Sequence, residues 1–158
     1  MVNHIPSWQP ASENYTPVKL AILAPRWLQE ALGILLLSDD SFTLVANTQN
    51  EDMLFSLSLS QMPDIILIDT DRRLKKAVDQ ITRIKAKIQS ANYVMLVDKT
   101  SQYSPLIQAG ADAVILKGSP PSSILEMIKQ VAEKRRNEIK EKNKPHTGSL
   151  SRKTGMEA

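Results

Sequence analysis

A single α/β domain is the architecture this sequence predicts, with a doubly wound five-stranded parallel sheet in the order 2-1-3-4-5 and helices on both faces. Three observations carry that expectation. Short apolar runs alternate five times with amphipathic runs at helical spacing. One of the apolar runs, Ile65-Ile66-Leu67-Ile68, has no polar alternation, as in a strand buried on both faces. The connections are short turns, and parallel neighbours joined through helices require right-handed crossovers.

Each element can be read in turn. Residues 1–17 are rich in Pro, Ser and Asn and close on Pro17, which reads as a mobile arm with Trp8 or Tyr15 available to anchor it. The domain then opens at Val18 with the strand VKLAILA, followed by a helix over 27–37, the strand SFTLVA and a helix over 51–60. DIILID is the third strand. Leu74, Val78, Ile81, Ile84 and Ile88 form one helical stripe, and NYVMLV is the fourth strand. A short helix over 104–109, the strand DAVILK and a helix over 122–136 complete the domain, with Ile124, Leu125, Ile128, Val131 and Ala132 as the buried stripe of the last helix. The stripe fades past Arg136, so residues 137–158 are expected to form a basic, flexible tail.

Length and composition narrow the function classes. At 158 residues and 42% hydrophobic positions, the chain suits one domain with a full core. The absence of cysteine excludes disulfides, thiolate zinc sites and cysteine nucleophiles. No basic-then-apolar leader and no apolar run of about 20 residues is present, so a cytoplasmic protein with no membrane partner is expected. His4 and His146 lie in the polar ends, away from any metal-ligand cluster, and no cofactor is expected. Met53, Met62, Met95 and Met127 read as core filler or flanking packing.

The net charge of +3 conceals two strongly basic stretches, 72–87 and 134–153, which together hold 15 of the 20 Lys and Arg residues. In the first, Lys76, Arg83 and Lys87 share a stripe away from the apolar one, which reads as a solvated helix face. With no aromatic residue interleaved for stacking and no glycine-rich phosphate loop, sequence-specific nucleic-acid recognition is not supported.

The stretch AGADAVILKGSPPSSILEMIKQVAE (109–133) resembles the fifth strand, lysine, turn and last helix of response regulator receiver domains, particularly those joined to a LuxR/NarL-type helix-turn-helix. PDIILID is similar to their third strand with its phosphoryl-accepting aspartate, and KLAILAPRW to their first strand. The resemblance spans about residues 18–136 and implies a flavodoxin-like receiver fold. By that resemblance Asp69 stands at the phosphoacceptor position and Lys117 at its paired lysine. The two acids that hold Mg²⁺ in an active receiver are replaced by Ala24 and Pro25. The switch hydroxyl is replaced by Val97 and the switch aromatic by Val114.

Those departures remove most of the chemistry. Mg²⁺ needs near-octahedral oxygen ligands, and Asp69 alone would hold it poorly. Without the cation, phosphoryl transfer would rest on Lys117 and Arg26 to stabilise the charge. Asp71 and Asp98, at strand ends facing the same crevice, are the two substitutes to weigh as ligands. Arg26 leaning over Asp69 would mimic the missing charge, and Trp27 would plug the old phosphate site.

The expectation is therefore a degenerate receiver without enzymatic activity. It would act as a phosphorylation-independent interaction module in signalling or transcriptional control, with no helix-turn-helix effector attached. Its partner would be another signalling protein or a second copy, and the resemblance places the contact around the last two helices: Tyr103, Leu106, Ile107, Glu126 and Lys129. Two other readings stay open. One is a small-ligand sensor using Ala24, Trp27, Val97 and Lys117; the other is a receiver still phosphorylated at Asp69.

Overall fold

The computed structural model describes residues 16–143. Its elements are β1 (Val18–Leu23), α1 (Arg26–Leu37), β2 (Phe42–Thr48), α2 (Glu51–Gln61), β3 (Ile65–Asp69), α3 (Leu74–Lys87), β4 (Asn92–Val97), α4 (Tyr103–Gln108), β5 (Ala113–Leu116) and α5 (Pro121–Lys142). A short 3-10 turn, Thr100–Gln102, leads into α4. All strand pairs are parallel and the order is β2-β1-β3-β4-β5, the topology expected from the sequence.

β3 runs through the middle of the sheet, and Ile65, Ile66, Leu67 and Ile68 have no exposed surface. Their period of two divides them between two core layers. Ile65 and Leu67 join Val94, Leu96 and the inner faces of α1 and α5, while Ile66 and Ile68 join Tyr93, Met95 and the inner faces of α2, α3 and α4. Full burial of each such aliphatic side chain contributes roughly 1.5–3 kcal/mol.

The edge where the strands begin is closed by carboxylates. Asp64 accepts the Lys19 backbone N–H at 2.8 Å and Asp112 accepts that of Tyr93 at 2.7 Å. Arg135 fastens α5 to the same edge, donating to Asn92 Oδ1 at 2.6 Å and to the Ser90 carbonyl at 2.7 Å, with Asp64 3.4 Å away.

The structure departs from the sequence reading at several ends. β2 continues to Thr48 because a register shift between Leu20 and Ala21 lets one residue of β2 bulge out of the pairing. α5 runs to Lys142, six residues past its expected end. Residues 137–142, NEIKEK, are mostly good helix formers, and Lys140 and Lys142 sit where the helix dipole favours cations, so the helix continues without an apolar stripe. Met95 is core and Met127 packs, partly buried, against the core, while Met53 and Met62 are 52% and 63% exposed. The arm residues His4, Trp8 and Tyr15 and the tail residue His146 lie outside the described residues.

α5 is also tied to the α1–β2 turn, where Lys129 reaches Asp39 at 2.8 Å. That bond, with further bonds from Ser41, holds the Asp39 carboxyl at about 2 rather than its usual 3.8. A carboxyl with a lowered folded-state value stabilises the fold above pH 3.8, and the gain disappears as pH falls through about 2. Lys129 is 44% exposed, so solvent screening limits the pair to about 1 kcal/mol or less. Lys129→Ala is expected to flatten the acid limb of urea midpoints measured across that window. An unchanged acid slope would show that the pair carries no stability.

Candidate functional site

The crevice lies beyond the carboxyl ends of the strands, where open parallel sheets place their ligands. Asp69 ends β3 and Lys117 follows β5, and the two side chains form an ion pair that is 16% and 20% exposed, respectively. The Lys117 backbone N–H donates to the Val97 carbonyl at 2.9 Å, which fixes the lysine against the end of β4. Its ammonium also lies 3.4 Å from Asp98 Oδ2, and Arg72 Nε approaches the same oxygen at 3.4 Å. The lysine therefore sits between two carboxylates, with Arg72 adding positive charge from the solvent side.

Two clefts open beside this pair. One of about 230 Å³ is lined by Leu23, Ala24, Pro25, Gln49, Glu51, Asp69 and Gln80. The other, of about 370 Å³, shares Glu51, Asp69 and Gln80 with it and adds Thr70, Asp71, Lys76 and Arg83. The wall formed by the end of β1 offers a methyl group and a pyrrolidine ring, and Gln29 closes over it by donating to the Ala24 carbonyl at 2.7 Å.

These residues do not fit a resident Mg²⁺. Asp71 is held by Arg73 through Nε at 2.9 Å, Nη2 at 2.8 Å and the backbone N–H at 2.8 Å, and these bonds hold its carboxyl well below the usual carboxylate range. Asp98 is shared between Lys117 and Arg72. Among the described residues no three His, Cys, Asp or Glu side chains are grouped to hold a metal ion.

Arg26 and Trp27 do not occupy the crevice. Arg26 extends into solvent, 3.9 Å from Glu30, and Trp27 is 64% exposed. The cause is the helical period: burying Leu28, Leu32 and Leu36 turns the preceding two side chains outward. Val97 and Val114 are buried among the core residues on the α2–α4 side of the sheet.

The anticipated interaction face is smaller than its five residues. Leu106 is fully buried because α4 has little else to anchor it, and it packs in the same core layer as Ala77, Ile81 and Ile84 of α3. Lys129 points to Asp39 on the α1 side. Half-buried Tyr103, exposed Ile107 and exposed Glu126 remain.

Sequence reasoning missed two arrangements. Gln102 is 2% exposed; its Oε1 accepts the backbone N–H groups of Asp98 at 3.3 Å and Lys99 at 3.2 Å, and its Nε2 donates to the Asp71 carbonyl at 3.0 Å. Nothing in the polar run DKTSQYS marks it out. Arg83, read as a solvated residue, grips Glu51 at the start of α2 with bonds of 2.9 and 2.7 Å, and this lowers the Glu51 carboxyl. Lys87, from the same stripe, lies 4.4 Å over the Phe55 ring. Two members of that basic stripe thus fasten α3 to α2.

No family model matches the chain. Over 97 residues it is 31% identical to the nitrate/nitrite response regulator protein homolog of Haemophilus influenzae, covering 60% of this chain and 47% of that protein. The chain thus spans about half the length of the curated relative it matches. Among solved structures, a response regulator from Thermotoga maritima superposes with a TM-score of 0.65 at 19% identity, over 73% of this chain and 98% of that one. The receiver domain of the putative response regulator NarL from Mycobacterium tuberculosis gives 0.63 at 17% identity, over 74% and 97%. The chain has a receiver-domain fold.

Within that fold the Asp69–Lys117 ion pair joins the ends of β3 and β5. None of the helices among the described residues is long and apolar enough to cross a membrane.

Proposed function

We propose that this receiver-like domain works without phosphorylation, as a protein-interaction module in signal transduction or transcriptional control. The observation that carries the reading is the Asp69–Lys117 ion pair facing a β1 end made of Ala24 and Pro25. The acceptor carboxylate already has its cationic partner, and the wall that should supply two more carboxylates is apolar. A dianionic phosphoryl donor entering there would meet Asp69, Asp98 and Glu51, each already paired with Lys117, Arg72 or Arg83, and would need a divalent cation to bridge it to the acceptor carboxylate. The partner, another signalling protein or a second copy, would meet the surface of Tyr103, Ile107 and Glu126.

The competing phosphorelay reading depends on Asp71 or Asp98 acting as a ligand, and each is engaged by basic side chains instead. The small-ligand reading finds a cleft, but of its expected lining residues only Ala24 is present, among polar neighbours.

Titration with Mg²⁺, then with beryllofluoride, followed through the amide signals of Asp69, Val97 and Lys117, separates these readings. No saturating shift is expected from either addition. Saturation with the metal and a further change with the phosphoryl mimic would restore phosphorylation at Asp69 and overturn the proposal.

A further inference from the structure

At the opposite end of the sheet from the crevice, the C-terminal ends of α2 and α3 leave an apolar groove of about 270 Å³. Phe55, Ser58, Leu59, Met62, Lys87 and Ile88 line it, and Leu59 and Met62 are 84% and 63% exposed. Met62 caps α2 in the left-handed region at φ 51°, a conformation that favours glycine over a bulky side chain. The Ser58 hydroxyl is buried at the groove and has no hydrogen-bond partner among the described residues.

We propose that the segment 1–15 folds back and seats Trp8 in this groove. Three observations select that occupant. First, the segment joins the domain beside the groove: β1 begins at this end of the sheet, and Lys19 Nζ donates to the carbonyl of Gln61, the residue before Met62, at 3.3 Å. The ten residues from Trp8 to Val18 span up to about 33 Å when extended, roughly a small domain's diameter, so reach is not limiting.

Second, the groove is about the size for one bulky side chain, below the usual range for ligand pockets of about 300–1,000 Å³. In the stretch IPSWQP, Trp8 is the largest apolar group, and Pro6 and Pro10 restrict the backbone around it, which lowers the entropy lost on docking. Third, Lys87 already lies over Phe55 at the groove wall, so an indole entering there meets an ammonium group suited to its ring face. Because the segment is tethered, its effective concentration is on the order of millimolar, enough for a weak contact to be occupied.

Tryptophan fluorescence of the full chain carrying Trp27→Phe tests this, because Trp8 is then its one remaining indole. Trp8 emission is expected to be blue-shifted and its acrylamide quenching several-fold weaker than that of free tryptophan, at every protein concentration. Leu59→Asp and, separately, Met62→Lys should each shift the emission to the red and restore quenching. Both replace exposed side chains, and circular dichroism checks that the fold is kept. Solvent-exposed Trp8 in the parent overturns the proposal, as does shielding that ignores both groove substitutions. Shielding that appears only as concentration rises overturns it too, since a second copy would then be the occupant.

Discussion

Lys117→Ala is expected to be among the most damaging single changes in the crevice. It leaves the Asp69 carboxylate largely buried with its ammonium partner gone. Breaking a buried pair from one side strands a desolvated charge. Allowing for the remaining exposure, the loss should be about 2–3 kcal/mol. For a domain of this size that is a fall in Tm of roughly 10 °C. Replacing both partners, as in Asp69→Asn with Lys117→Met, should return stability to within about 1 kcal/mol of the parent, because no unpaired charge is left behind. A denaturant-unfolding cycle over the four proteins measures the coupling directly. A single alanine variant as stable as the parent would mean that the pair is solvated and fixes nothing.

Leu106→Ala and Ile107→Ala differ by one position and should differ widely in outcome. Leu106 has no exposed surface, and truncating it opens a cavity between α4 and the sheet, expected to cost about 2–4 kcal/mol. Ile107 is 48% exposed, and its truncation should change stability by no more than about 0.5 kcal/mol. If Tyr103, Ile107 and Glu126 form a partner surface, the Ile107 variant is the one that loses association while keeping its unfolding midpoint. Equal losses of stability in the two variants would contradict the burial pattern of α4.

The architecture was legible because its signals are periodic. The uninterrupted run at 65–68, the alternation of apolar and amphipathic segments and the short turns leave few topologies open, and β4 coincides with NYVMLV to the residue. The pairing of Asp69 with Lys117 was legible through resemblance, since two residues 48 positions apart carry no local sign of meeting. Arg26 and Trp27 adjoin the end of β1 in sequence but not in the crevice, because the helical period turns them outward. The resemblance puts Leu106 on the partner face, and a six-residue helix shows too little periodicity for the sequence alone to reveal that it is buried. Arg83 looked like solvated charge because Glu51, its partner 32 residues earlier, becomes a neighbour only once α2 and α3 lie side by side.

Gln102 has a consequence for motion. Its one amide group holds the backbone after β4 at two points and the backbone after β3 at a third. The two loops that frame the crevice therefore share a single latch. The two bonds to Asp98 and Lys99 stay within the loop that carries Gln102, so parting the loop after β3 from the loop after β4 means breaking the bond from Nε2 to the Asp71 carbonyl while the loop after β4 keeps its own internal brace.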